Sequence, residues 1–150
     1  MDRYVVSFLR ASLIWLGAGV SLGVAMAVHP AWVIYRTAHL HMLLLGFVTM
    51  MISGVAYHVL PRFAAAPLYS PRLAAVHLVI ANVGVAVLAG GFIVRFSSTA
   101  LAMPMLAAGG VLSAAGAFAL AWNLWRTLDR AAVPPSQLAT IRSTRPTEAR

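Results

Sequence analysis

The sequence contains no cysteine and no lysine, and only 3 of its 150 residues are acidic. Without cysteine, the chain can form neither disulfides nor thiolate metal sites. Charged residues make up 9% of the chain and hydrophobic residues 61%. A soluble domain of this size needs a charged surface that such a composition cannot supply. The absences therefore exclude a soluble domain and favour a protein of the lipid bilayer.

Apolar runs long enough to cross a bilayer occur four times between polar or proline breaks. They predict an all-α integral membrane four-helix bundle with short loops, occupying residues 1–128. After Leu128 the sequence becomes polar and rich in proline, which predicts a disordered cytoplasmic tail over 129–150. The predicted spans are residues 5–28, 35–60, 72–96 and 100–125.

Arginine accounts for every basic side chain, and the formal net charge is +8. The arginines lie near predicted helix ends and in the tail, with no basic face or aromatic platform, so we expect no nucleic-acid partner. Arginine accumulates on the cytoplasmic side of membrane proteins. We therefore expect both termini in the cytoplasm and, with them, most of the arginines before the tail: Arg3, Arg10, Arg62, Arg72, Arg126 and Arg130. Only Arg36 and Arg95 are then outside, as for a bacterial inner-membrane protein.

The first apolar run has a second interpretation as a cleaved signal peptide. Ala25-Met26-Ala27 matches the small-x-small pattern of a cleavage site, and Arg10 could end a basic leading region. The apolar stretch that follows is long for a signal sequence. We therefore expect an uncleaved first helix, in which Gly19, Gly23 and Ala27 form a small-residue stripe suited to close helix packing.

Two histidines near the start of the second span point in different directions on a regular α-helix. His39 shares its face with small and polar residues, as a bundle interior requires. His41 shares its face with aliphatic residues, which is typical of lipid or a subunit interface. Ionisable side chains within a span are costly and are functional candidates for that reason. The His39 face comprises Arg36, Leu43, Gly46, Met50, Ser53 and Tyr57.

Imidazole and thioether groups suit haem iron or copper as ligands, rather than magnesium or calcium. For haem, His39 would be an axial ligand beside Gly46 and Arg36, with Arg95 nearby. The opposing ligand would be Met103, Met105, His29 or a residue of a second subunit. His58 and His77 lie at similar depth on antiparallel helices and could form a second site. For copper, the candidate ligands lie at the outer surface and comprise His39, His41, Met42, Met103 and Met105.

The segment TAHLHMLLLGFVTMMISGVAYHVLPRF, with the preceding SLGVAMAVHPAW, resembles the first two helices of the haem-copper oxidase catalytic subunit. The cbb3-type oxidase and nitric oxide reductase branch is the most similar. The resemblance covers about the first 65 residues and implies that His39 ligates a low-spin haem near the outer surface, with Gly54 and Pro61 at family positions. It departs from the family because catalytic subunits have about a dozen helices, and later helices carry the reaction centre.

Three functions remain open from the sequence. The leading hypothesis is a small haem b protein for electron transfer, holding one or two haems and exchanging electrons with a quinol or cytochrome. It would act in a homo-oligomer or with respiratory-complex subunits, and not as an enzyme by itself. The alternatives are an outer-surface copper-binding protein and a cofactor-free structural or assembly subunit.

Overall fold

The computed structural model describes residues 2–131. Within that range the chain is helical and contains no strand. Four stretches are long and apolar enough to cross a membrane, which confirms the predicted four-helix membrane fold. The predicted tail lies outside the described residues from residue 132 onward. The spans are Arg3–Val28, Pro30–Phe63, Pro71–Val94 and Thr99–Ala131.

The second span is not the uniform α-helix that the sequence predicts. It opens with a 3-10 turn, Pro30–Tyr35, followed by a short α-helix, α2 (Arg36–His41), a π-helix (Met42–Thr49) and α3 (Met50–Phe63). In a π-helix the backbone bonds reach five residues back instead of four. The Thr49 hydroxyl adds a bond of the same reach, donating to the Leu44 carbonyl at 2.8 Å. The span therefore widens immediately after its two histidines.

The ends of the other spans follow from proline and capping residues. α1 (Arg3–Val28) ends where His29 turns extended before Pro30, which has no backbone N–H to continue the helix. α4 (Pro71–Val94) begins with Pro71 at its first position, and the Ser70 hydroxyl accepts from the Leu73 amide at 3.1 Å. α5 (Thr99–Ala131) follows after only four residues. These short connections make successive spans antiparallel.

Glycine permits the closest packing in the bundle, between α4 and α5. A Cβ atom on Gly84 would lie 2.8 Å from the Ser113 amide nitrogen, and one on Gly109 would overlap the Leu88 backbone. Gly109 and Ser113, one turn apart on α5, thus face α4, because only small residues allow two backbones to come so near.

The interior face of the second span is close to the predicted one despite the π-helix. Gly46, Met50, Ser53 and Tyr57 are buried, whereas Ile52 and Val55 are about half exposed. Phe8 of α1 packs against Tyr57 with ring centroids 5.7 Å apart. The first two spans therefore share one core with α4, and their aliphatic faces point outward, where a membrane protein meets lipid.

Candidate functional site

His39 lies against α1 in a fixed orientation. Its Nδ1 is 2.8 Å from the Gly19 carbonyl oxygen, and since a carbonyl can only accept, Nδ1 carries the proton in this bond. The lone pair is then on Nε2, the arrangement seen when a metal-bound histidine donates its other ring nitrogen to a backbone carbonyl. The side chain is half-buried.

The glycines of α1 make room for this imidazole. A Cβ atom on Gly23 would lie 2.9 Å from the Cε1 atom of His39, and one on Gly19 would lie 2.5 Å from a methyl group of Leu43. Larger residues at these two positions would push the second span away from α1. The small-residue stripe predicted on the first helix therefore receives His39 directly.

Gly46, expected beside the haem, is covered by a side chain from α1. The indole of Trp15 lies across it, with Cγ 2.5 Å from where a Gly46 Cβ atom would be. The indole N–H donates to the Oδ1 atom of Asn82 on α4 at 3.0 Å. Trp15 of α1 thus contacts both the π-helix and α4.

Four other residues were expected around His39, and three of them are exposed on the surface of the bundle. Met103 is 59% exposed, and the Met105 methyl group packs near Gly90 of α4. Arg36 and Arg95 are both exposed and lie at the same end of the bundle, where the rings of Tyr35 and Phe96 meet at 5.7 Å. In the described chain, no hydrogen bond or ring contact joins these four residues to His39.

His41 points toward α4 rather than α1. Its ring stacks on Phe92 with centroids 4.8 Å apart and an angle of 30°, and its Nδ1 is 2.8 Å from the Thr37 carbonyl. The two histidines of the His-x-His pattern thus contact different helices. Over residues 2–131, no group of three or more His, Asp or Glu side chains could hold a metal ion.

His58 and His77 have separate partners at the other end of the bundle. The Arg62 guanidinium lies 2.8 Å from Nδ1 of His58, and both residues line an open pocket of about 420 Å³ with Tyr4 and Tyr57. His77 is 2% exposed, and its Nδ1 is 3.0 Å from the Tyr57 hydroxyl. Each imidazole therefore already has a protein partner on one ring nitrogen.

Two asparagines with structural roles were not singled out by the sequence reasoning. Asn82 accepts from the Trp15 indole, and the buried Asn123 on α5 bonds both the N–H and the carbonyl of Ser70 at 2.9 Å. The signal available in the sequence was an asparagine in the middle of an apolar span, since polar side chains there usually face the protein interior.

The contacts of His39 bear on whether the chain can hold a haem. Nδ1 of His39 is bonded to the Gly19 carbonyl, and Nε2 lies 3.7 Å from where a Gly23 Cβ atom would be, so both ring nitrogens are close to α1. Trp15 occupies the space beside Gly46. The chemistry of His39 fits one ligand of a haem, whereas the predicted opposing ligands do not contact this imidazole within residues 2–131.

The comparisons with known proteins agree with the membrane fold. A family model described as cytochrome c and quinol oxidase polypeptide I matches residues 3–142. The match runs through all four spans, well beyond the first 65 residues in which the resemblance is visible by inspection. None of the curated proteins compared with this sequence matches it. With most of its length matched, the chain belongs to the cytochrome c and quinol oxidase polypeptide I family, the haem-copper oxidase subunit I proteins.

Proposed function

We propose that this chain is a haem b-binding membrane subunit for electron transfer, with Nε2 of His39 as one axial ligand. The observation that carries the proposal is the 2.8 Å contact between Nδ1 of His39 and the Gly19 carbonyl. That bond selects the tautomer with a free Nε2 and prevents the ring from turning. Family membership supports haem as the group that such a nitrogen would bind.

The opposing axial ligand is the next requirement of this proposal. Met103 is exposed and Met105 packs on α4, so neither methionine is placed opposite His39 within one chain. The opposing ligand would then come from a second subunit, either another copy of this chain or a different respiratory-complex subunit. We therefore propose that the site is completed at a subunit interface.

The chain's own residues would hold and shield the cofactor. Haem iron, when bound, supplies one reversible electron transfer whose potential depends on the axial ligands and on burial. Gly19 and Gly23 keep His39 in place, and Trp15 excludes water from the interior beside Gly46. Arg36, about one helical turn before His39, is a cation suited to a propionate. Electrons would come from a quinol or a cytochrome.

One haem is the count we propose. His77 is committed to Tyr57 on one nitrogen, and His58 is engaged by Arg62. Both histidines therefore have hydrogen-bonding partners within the protein, and a second haem is not needed to explain their positions. We also propose membership of the cbb3-type oxidase and nitric oxide reductase branch, and a location in the bacterial inner membrane, on the strength of the second-helix motif and the arginine pattern.

The test is a reduced-minus-oxidised spectrum of purified protein expressed with haem available, with haem and copper quantified on the same sample. We expect b-type bands in the native chain and in His41→Ala, and their loss in His39→Ala. Circular dichroism of both variants checks that each remains folded. Unchanged haem in folded His39→Ala would refute the ligand assignment. Copper without haem in the native protein would refute the cofactor.

A further inference from the structure

The open pocket beside Arg62 lies at an end of the bundle where three spans begin or end. The start of α1, the last turns of α3 and the loop that leads into α4 surround it. Its volume of about 420 Å³ is within the roughly 300–1,000 Å³ that is typical of small-molecule sites. The ends of membrane spans lie at the depth of the lipid headgroups. The pocket is therefore at the level where a phospholipid carries its charges.

Two side chains of α3 present hydrogen-bond donors in this pocket. Arg62 donates through Nη1 to both Nδ1 and the carbonyl of His58, so its guanidinium is held against the helix. Because an arginine can only donate, Nδ1 of His58 is the acceptor, and the neutral ring carries its proton on Nε2. Within residues 2–131, this N–H and the Nε and Nη2 groups of Arg62 have no further partner. Donors held in this way suit the oxygen atoms of a phosphate group.

A carboxylate lies in the same pocket. Asp2 immediately precedes α1, a position where aspartate commonly accepts from a helix amide, yet its side chain makes no such bond. Its Oδ2 atom instead accepts from the Tyr4 hydroxyl at 3.0 Å, and both residues line the pocket. In the part of the chain that the structure describes, Asp2 and Arg62 form no ion pair with each other. A ligand in the pocket can therefore meet a cation and an anion.

The two signs of charge select the class of ligand. Free phosphate or a purely anionic headgroup would satisfy Arg62 and His58, but it would bring negative charge beside the Asp2 carboxylate. A headgroup that contains both a phosphate and an ammonium group matches both charges. The rest of the lining includes apolar residues such as Leu68 and Pro67, which suit the glycerol and methylene groups of a lipid.

We propose that this pocket binds the headgroup of a zwitterionic phospholipid, with the phosphate on Arg62 and His58 and the ammonium group on Asp2. The Tyr4 hydroxyl holds the carboxylate in place. The site lies at the opposite end of the second span from His39, and it does not depend on whether the chain binds haem. It gives His58 a role as a phosphate donor.

Native mass spectrometry of the full chain in mild detergent tests the choice of lipid. The protein is titrated with phosphatidylethanolamine and, separately, with phosphatidylglycerol that has the same acyl chains. We expect one molecule of phosphatidylethanolamine to bind more tightly, although the net charge of +8 by itself favours the anionic lipid. Excess inorganic phosphate should not displace it. Tighter binding of phosphatidylglycerol, no retention of phosphatidylethanolamine, or its displacement by phosphate would overturn the proposal.

Two arginine substitutions show whether the lipid binds in the pocket itself. Arg62→Gln removes the guanidinium, and we expect the affinity for phosphatidylethanolamine to fall about tenfold. Arg72→Gln removes the same charge from an exposed arginine at the same end, outside the pocket lining, and should leave the affinity unchanged. Equal losses in the two variants, or none in Arg62→Gln, would mean general attraction to a basic surface and overturn the assignment.

Asp2→Asn tests the ammonium half of the site. The amide can still accept from Tyr4 but carries no charge, so we expect the preference for phosphatidylethanolamine over phosphatidylglycerol to disappear. A preference that persists would contradict the role of the carboxylate. Circular dichroism checks the fold of each variant. If Arg62→Gln does not fold, Asp2→Asn decides, because Asp2 is exposed and does not cap α1.

Discussion

At the scale of single residues, the space around each glycine determines whether a larger residue can replace it. Gly109 and Gly110 are neighbours on α5 with opposite surroundings. A Cβ atom on Gly109 would overlap the Leu88 backbone, while one on Gly110 would meet no atom within 4 Å. Glycine is otherwise unfavourable inside a helix, because it loses more backbone entropy on ordering than alanine. Substituting alanine at each position in turn therefore distinguishes the effect of helix packing from the effect of helix propensity.

Gly109→Ala should destabilise the protein, since the added methyl group forces α4 and α5 apart. We expect a loss of about 1–3 kcal/mol in the free energy of unfolding, the usual cost of overpacking. Gly110→Ala should be neutral or more stable by about 0.5–1 kcal/mol. Unfolding of both variants in mild detergent measures the difference. Equal effects would mean that the close approach of α4 and α5 is not formed.

At the scale of elements, α5 fixes the loop between α3 and α4. Asn123 pairs with both backbone groups of Ser70, and the Thr127 hydroxyl accepts from the Tyr69 amide at 3.0 Å. The Arg130 guanidinium lies 4.5 Å from the centre of the Tyr69 ring. Backbone groups in a loop have no helical partners of their own, so these side chains replace them. The loop is thereby tied to the final turns of α5.

Asn123→Ala should weaken this attachment by leaving the N–H and carbonyl of Ser70 without partners. Each lost bond of this kind costs about 1–3 kcal/mol when the group stays buried. We expect a lower unfolding midpoint, and faster proteolysis within residues 64–70. Phe118→Leu, which alters a side chain that is 75% exposed on the same helix, serves as the control. A normal midpoint for Asn123→Ala would contradict the role given to this residue.

At the scale of the whole molecule, the charges separate to the two ends of the bundle. Tyr4, Arg62 and Pro71 line one pocket, and Arg130 joins Tyr69 nearby, so the N-terminus and the end of α5 share one side with most arginines. Tyr35 and Phe96 meet at the opposite end, which carries Arg36 and Arg95. An even number of antiparallel spans returns the chain to the side on which it began.

We expect the arginine-rich end to face the cytoplasm, following the positive-inside rule. Alkaline phosphatase is active only outside the cytoplasm. Inserted between Ser97 and Ser98 it should be active, and fused after Arg150 it should be inactive. A fluorescent protein fused after Arg150 gives the complementary signal. Activity at the C-terminus, with none at the loop, would reverse the orientation and contradict this prediction.

The amino-acid sequence alone determined the class of the protein, the number of spans and their approximate ends. Apolar length and the positions of proline and arginine are local properties, and the bilayer makes local hydrophobicity decisive because every backbone group must be satisfied within a helix. The interior face of the second span was also predictable, since the stripe from Gly46 to Tyr57 is small and polar.

Only the tertiary structure decided what each candidate residue contacts. The π-helix, the Trp15 indole over Gly46 and the bond from His39 to Gly19 depend on residues that are distant in sequence. The same holds for His77, whose similar depth to His58 suggested a pair and whose partner is Tyr57. Helical periodicity predicts the direction in which a side chain leaves its own helix. Packing between the spans determines which neighbouring helix that side chain contacts.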